Sequence, residues 1–376
     1  MLRVIAPSYL YRRNQTLKRD YNQMVWDEQL SDDVRKLIAL AISEDLGTSG
    51  DITTQALVPE HALGKAVMHS RQTGVAAGLP AVPAIAAIVD SRLHWEPFLR
   101  DGDTIGEGRT PLGAIAGPVA SILTAERMIL NLVGRLCGIA TLTRSYVQEL
   151  AGTNARIYDT RKTTLGWRRL EKYAVRCGGG TTHRTGLFDA ILIKDNHLAF
   201  GMSGDAGTGG RYTPAEAVRK AREWGDRYVR ELAAQSEKVD PASTINTLRR
   251  CGIQVALKGS VPNKYKLCGI DVTQKSLQNL LPPLVEIEVD SLEQLAEVLP
   301  ESPDVAMLDN MTPERIHEAV EMRNKLGVPT ELEASGGVNL KTVRAIAETG
   351  VERISVGALT HSAISLDIGL DYTIAN

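Results

Sequence analysis

The densest run of reactive side chains lies between Tyr158 and His197, YDTRKTTLGWRRLEKYAVRCGGGTTHRTGLFDAILIKDNH. It holds Arg161, Lys162, Arg168, Arg169, Lys172, Arg176, Arg184, Lys194 and His183, opposed by Asp159, Glu171, Asp189 and Asp195. Arg168, Arg169, Lys172 and Arg176 have helical spacing and neighbours such as Glu171, so they are expected on a helix surface. Arg161, Lys162 and Lys194 instead follow or end short apolar runs. A cation at the end of a buried strand needs an anion to face. Arginine presents a planar fork to carboxylate or phosphate and lysine a point charge, so several of each suggest a polyanionic substrate.

Carboxylates at other strand ends extend that chemistry. Glu288 and Asp309 could hold hydrated Mg²⁺ or the hydroxyls of a sugar. They could equally pair with the strand-end cations. Ser335, Gly336 and Gly337 in EASGG, with Gly357 in VGAL, end the last two strand-like runs. There, backbone N–H groups at a helix start can take a phosphate. The set describes a phosphorylated sugar, a metal and an acidic partner. CGGGTTHR leaves three readings open at this point: a phosphate loop, a thiol site at Cys177, or a tight turn.

Elements that could position these groups follow from periodicity. ARIYDT, DAILIKDN, LVEIEVDS, DVAMLDN, ELEASGG and RISVGAL are short apolar runs ending in polar residues or glycine. Helical patterns such as SLEQLAEVL, TPERIHEAVEMRNKL and NLKTVRAIAETG lie between them. This alternation predicts parallel βα units, with the chemistry where the strands end. Six strands rather than eight predict an incomplete or irregular barrel. Upstream, SDDVRKLIALAISEDLG predicts a helix capped by Ser31 and ended by Gly47. Short alternating stretches and Gly/Pro turns follow, then a long helix over about Ala120 to Leu150. The expected organisation is an N-terminal extension over 1–30, an α/β sandwich domain over 31–140 and a barrel over 141–376. The C-terminal tail is expected to pack on the sandwich. An insertion is expected at about 225–282, with a strand in IQVALKG and a helix in VTQKSLQNLL.

Composition excludes several classes. The chain has 376 residues, 43% hydrophobic and 23% charged, as a globular enzyme does. A net charge of −2 gives no global attraction for nucleic acid. No apolar run reaches membrane-span length. Cys137, Cys177, Cys251 and Cys268 are scattered without a CxxC pair, which argues for a reducing, cytoplasmic setting. Arg3, Arg12, Arg13, Lys18 and Arg19 stand against Asp20 alone at the N-terminus, a composition shared by transit peptides and ragged extensions.

The Tyr158–His197 stretch is similar to the signature of the quinolinate phosphoribosyltransferases. SEDLGTSGDITT, AERMILNLVGRLCGIATLT, VEIEVDSLEQL, MLDNM, EASGGV and VGALTHSAISLDIGLDY resemble further blocks of that family in the same order. The resemblance runs from about Leu30 to Tyr372, apart from the insertion. It implies an N-terminal α/β sandwich followed by an open, irregular six-stranded α/β barrel. It implies transfer of phosphoribose from phosphoribosyl pyrophosphate to quinolinate, with Mg²⁺, giving nicotinate mononucleotide, pyrophosphate and CO₂. It also implies a homodimer or larger homo-oligomer with shared active sites. Carried over by motif, Arg127 comes from the neighbouring subunit to a quinolinate carboxylate, and Arg161, His183, Arg184 and Lys194 bind the rest of the dicarboxylate. Lys162 serves between quinolinate and pyrophosphate. Glu288 and Asp309 bind ribose hydroxyls and the metal, and Ser335, Gly336, Gly337 and Gly357 bind the 5′-phosphate. On these terms Cys177 has no nucleophilic task, and Gly178, Gly179 and Gly180 serve to turn the chain so that His183 and Arg184 meet the substrate. Leu165 stands where the family has proline, which predicts a looser loop. The rivals are a paralogue of the same fold with another acceptor, and a catalytically silent phosphosugar-binding protein. The latter is disfavoured because Lys162, Glu288 and Asp309 are all retained.

Overall fold

The structure is a computed structural model that describes residues 19–202, 210–238, 255–256, 265–267, 270–272 and 282–374. Helices α1 (Glu28–Leu46) and α2 (Ile52–Leu57) come first, then strands β1 (Leu63–Ser70) and β2 (Gly74–Val75) and helix α3 (Ala81–Val89). Strands β3 (His94–Pro97), β4 (Thr104–Ile105) and β5 (Thr110–Pro118) lead into the long α4 (Val119–Glu149). Next are β6 (Arg156–Tyr158), α5 (Arg168–Cys177), β7 (Ala190–Ile193), α6 (Asp195–Phe200) and α7 (Pro214–Lys238). Short strands β8 (Val255–Ala256), β9 (Tyr265–Leu267) and β10 (Ile270–Val272) form a small antiparallel sheet. The chain continues through β11 (Leu284–Val289), α8 (Leu292–Val298), β12 (Val305–Asp309), α9 (Pro313–Leu326) and β13 (Glu331–Ser335). It ends with α10 (Val343–Glu348), β14 (Arg353–Ser355), α11 (Ala358–His361) and β15 (Ile368–Ile374).

The expected mixed α/β fold therefore forms, and all six predicted strand segments are strands. The strand expected in IQVALKG is β8. The helix expected in VTQKSLQNLL falls outside the described residues, except for Val272, which closes β10. No helix among the described residues is long and apolar enough to cross a membrane.

Described residues divide into two compact units. The first draws on Gln23–His183, Val338–Arg344 and Ser355–Asn376. Its antiparallel sheet has the order β15-β1-β5-β3, so the C-terminal strand lies beside β1, with Met68 opposite Leu370. Helix α4 buries Ile122, Ile129, Leu132, Val133, Leu136 and Ile139. Each such side chain contributes about 1.5–3 kcal/mol when withdrawn from water. Helix α1 starts earlier than expected. Asp27, not Ser31, is its cap, accepting the Leu30 N–H at 2.8 Å, while the Ser31 hydroxyl donates back to the Asp27 carbonyl. An acidic cap also suits the positive helix end. Gly47 closes the helix at φ 51°, as expected.

The second unit draws on Arg184–Gly337, Ala345–Ile354 and residues up to Asn22. Here β7, β11, β12, β13 and β14 pair in parallel, in the order β14-β13-β12-β11-β7. Side chains alternate across a strand. Val285, Ile287, Ala306, Leu308, Leu332 and Ala334 therefore share the apolar face, and all are buried. The other face is polar. Glu286 and Glu288 on β11, Asp309 on β12, Glu331, Glu333 and Ser335 on β13 and Arg353 on β14 stand on it. Arg353, 0% exposed, donates to Glu331 at 2.5 Å and to the Arg19 carbonyl at 3.1 Å, pairs with Asp20 at 3.2 Å and covers the Tyr21 ring. The Tyr21 hydroxyl donates to Glu286, and Arg19 pairs with Asp304 at 3.2 Å. Residues 19–21 thus supply partners for Glu286 and Arg353 of the parallel sheet and for Asp304, just before β12.

Truncating one member of a buried charge network leaves the others uncompensated. Arg353→Leu is expected to lower unfolding free energy by about 3–5 kcal/mol, read from urea denaturation of the full chain.

Candidate active site

In the first unit, the site builds on β6. Asp159 follows it, 0% exposed, and bonds with the Lys172 ammonium. Asp159 also accepts the His183 N–H at 2.8 Å, and Lys172 donates to the His183 carbonyl at 3.1 Å. Burial raises the Asp159 carboxyl above its usual range, and the Lys172 ammonium opposes that rise. Lys172, expected on a helix surface, is fully buried, as is Glu171. Helical spacing of charges shows that they share a helix but not which face is buried. On α5 the inward face carries Leu170, Glu171, Lys172, Ala174 and Val175. Arg176 is exposed as expected, while Arg169 reaches Asp27 on α1 at 3.1 Å.

Glu171 is a second anchor. It accepts the Thr164 N–H at 3.1 Å and hydroxyl at 2.9 Å, and pairs with Arg135 of α4 at 2.9 Å. Arg135 donates onward to the carbonyls of Thr360 and Ala363, and the Thr360 hydroxyl donates to the Lys162 carbonyl at 2.7 Å. One carboxylate thus ties the loop after β6 to α11. Lys162 is exposed on that loop. A Cβ on Gly357 would lie 3.1 Å from the Lys162 Cδ and 3.3 Å from the His361 Nε2, so a side chain there would crowd both. Arg161 is half-buried, and its Nε is a buried donor with no partner among the described residues. His183 is buried, and Arg127 is exposed on α4. Leu165, where a looser loop was expected, is 90% exposed.

The glycine run has a packing role beyond the expected turn. Gly178 follows α5, and a Cβ there would meet the Ala140 carbonyl at 2.4 Å. At Gly180 it would meet the Val175 Cγ1 at 2.7 Å. Gly179 sits at φ 92°, a conformation L side chains avoid. Residues 181–183 then run beside β6, with the Thr181 N–H on the Ile157 carbonyl at 2.8 Å and the Asp159 N–H on the Thr181 carbonyl at 3.1 Å. Cys177 is no ready nucleophile: burial pushes its thiol up to about 12, and that of Cys137 to the same value.

In the second unit, the parallel register gathers strand tips on one edge. Lys194 follows β7 and its ammonium contacts the Glu288 carboxylate on β11. Met307, in register with Glu288, precedes Asp309 at the tip of β12, and Asp309 is in register with Ser335 at the tip of β13. Gly336 and Gly337 follow at φ 94° and 62°. A Cβ on Gly336 would sit 2.1 Å from the Asn310 Oδ1. Asn310 itself is left-handed at φ 55°, donates its N–H to the Ser335 carbonyl at 2.8 Å and its amide to Asp309 at 2.8 Å. Sequence reading missed Asn310, although asparagine before a helix start is a known signal for that conformation. Arg184 is buried, with a guanidinium nitrogen 3.4 Å from the Ala190 carbonyl. Within this unit the tips unite Lys194 with Glu288, and Asp309 with Ser335 and its glycines.

The chain matches known proteins over most of its length. The sequence model described as the quinolinate phosphoribosyl transferase C-terminal domain matches residues 139–238 and 263–371, and that for the N-terminal domain matches residues 51–137. The carboxylating nicotinate-nucleotide pyrophosphorylase of Mycobacterium leprae is 36% identical over 342 residues, covering 90% of this chain and 97% of that one. A probable enzyme of the same name from Bacillus subtilis is 33% identical over 343 residues, covering 91% and 94%. The structure of the nicotinate-nucleotide pyrophosphorylase from Francisella tularensis superposes with a TM-score of 0.72 at 29% identity, over 94% of this chain and all of that one.

Iodoacetamide at pH 8 followed by peptide mapping is expected to leave Cys137 and Cys177 unmodified in the folded chain and to label both in urea. Gly178→Ala is expected to lower Tm, because the α5 terminus must move off α4.

Proposed function

The chain belongs to the quinolinate phosphoribosyltransferase family, and from that premise we propose how its own residues carry the reaction. The activity is that of a carboxylating nicotinate-nucleotide pyrophosphorylase, a phosphoribosyl-transferring enzyme of NAD biosynthesis. The substrates are quinolinate and phosphoribosyl pyrophosphate. The observation that carries the assignment of roles is the buried Nε of Arg161, a donor with no acceptor among the described residues, three residues after β6. A quinolinate carboxylate supplies one.

Arg161, His183, Arg184 and Lys194 are assigned to the dicarboxylate. Arg127, exposed on α4, is assigned to the same ligand in a neighbouring subunit of a homodimer or larger assembly. Lys162 is assigned to the pyrophosphate side, where a flexible ammonium can follow the departing charge. Ser335, Gly336, Gly337 and Gly357 are assigned to the 5′-phosphate. The positive φ at Gly336 and Gly337 and the crowding at Gly357 support backbone approach there. Glu288 and Asp309 are assigned to ribose hydroxyls.

Mg²⁺ fits the same two carboxylates. They are hard oxygen donors at neighbouring strand ends, and both keep some exposure, as an ion that retains water requires. When bound, the ion neutralises charge on the pyrophosphate. The protein's own residues do the rest by placement. Pyrophosphate departs as the ribose C1 becomes cationic, and the pyridine nitrogen attacks with its own lone pair, so no strong base is required. The resulting pyridinium stabilises the carbanion left when the adjacent carboxylate leaves as CO₂, and a proton completes the ring. Holding both substrates in line and excluding water is the main contribution asked of the fold. The proposed compartment is the cytoplasm, which the scattered cysteines without a CxxC pair support.

Purified full-length chain with quinolinate, phosphoribosyl pyrophosphate and Mg²⁺ is expected to release labelled CO₂ and nicotinate mononucleotide in equal amounts, and to turn nicotinate over poorly. Arg161→Ala or Lys194→Ala is expected to reduce kcat/KM by about a hundredfold or more. Near-normal kcat/KM in either variant would remove that residue from its role.

A further inference from the structure

Helix α5 carries a buried cation that the reaction itself does not use. Lys172 and Asp159 are each 0% exposed, and their contacts converge on one residue. Asp159 accepts the N–H of His183, and Lys172 donates to the carbonyl of His183. Both peptide groups flanking that Cα are therefore held, which fixes the direction in which its imidazole leaves the backbone. Three glycines precede this segment and offer no side chain to hold it. Asp159 also lies two residues before Arg161, and its own N–H bonds the Thr181 carbonyl. The ion pair thereby spans the exit of β6, which presents Arg161, and the extended segment that presents His183.

Resting on the family reading above, we propose that Asp159 and Lys172 are positioning residues for quinolinate. They set His183 and Arg161 at the spacing that the dicarboxylate requires, without touching it. The loop bearing Lys162 and the α11 segment are held separately, by Glu171 and Arg135. Loss of the Asp159–Lys172 pair therefore acts on quinolinate and spares the sugar phosphate. A pair that serves only the stability of α5 would affect both substrates alike.

The test compares the wild type with Lys172→Met and with the charge-neutral double variant Asp159→Asn/Lys172→Met, which leaves no lone buried charge. Thermal melting establishes that the full chain folds, and steady-state kinetics give KM for each substrate with the other saturating. The double variant is expected to fold and to raise KM for quinolinate about tenfold or more, with KM for phosphoribosyl pyrophosphate within about twofold of the wild type. Calorimetric titration with quinolinate is expected to weaken by the same factor. Equal shifts in both KM values, no shift in either, or failure of the double variant to fold assigns the pair to fold stability and overturns the proposal. A wild type unable to use quinolinate overturns the family reading instead, independently of the variants.

Discussion

The ion pair between Lys172 and Asp159 is the contact that joins the exit of β6 to the segment bearing His183. Both groups are withdrawn from water, which is costly unless each is fully engaged. Lys172 engages a carboxylate and a carbonyl, and the Asp159 Oδ1 takes both the ammonium and the His183 N–H, while its Oδ2 is buried without a hydrogen-bond partner among the described residues. The adjacent Glu171 does the same for another segment, through Thr164 and Arg135. Two neighbouring residues of opposite charge on one helix thus anchor two loops, neither of which has an apolar core of its own.

In the second unit the organising constraint is the period of the β-strand. Parallel strands of this kind are commonly apolar on both faces. Here one face is apolar and the other carries most of the acids, with Arg353 and Tyr21 supplying Glu331 and Glu286 with partners. Nearer the strand ends the acids are Glu288 and Asp309, and Lys194 sets a cation beside the first. Carboxylates at the strand ends repel an anion unless cations accompany them, and Lys194 places one beside Glu288.

The fold was legible where periodicity was strong. The six strand segments and the long α4 follow from apolar runs and helical spacing, and the strand-end residues from their positions after those runs. The start of α1 was misplaced because Asp27 and Ser31 are both good caps, and only geometry distinguishes them. Burial of Lys172 was not legible because its spacing fits a solvated face equally well. Its partner Asp159 lies on another element, after β6, and charge patterns alone do not reveal that pairing. The glycine run signalled a turn correctly, but its second reason, contact with Ala140 and Thr143 of α4, depends on packing that no local pattern encodes. Asn310 escaped notice because its task is conformational. The place of residues 19–21 among the sheet's partners was hidden by a basic composition that suggested only an extension.

These features separate the chemistry from its support. The Arg161 Nε is buried without a hydrogen-bond partner among the described residues, and His183 leaves a backbone held on both sides. A thiol mechanism has no basis in this arrangement, since burial keeps Cys177 protonated at neutral pH. The most direct measurement is a crystal structure of the full chain with quinolinate bound. The account predicts one carboxylate on the Arg161 guanidinium and the other within hydrogen-bond distance of the His183 ring, with Lys172 and Asp159 still paired behind it. Quinolinate bound away from Arg161 and His183 would contradict it.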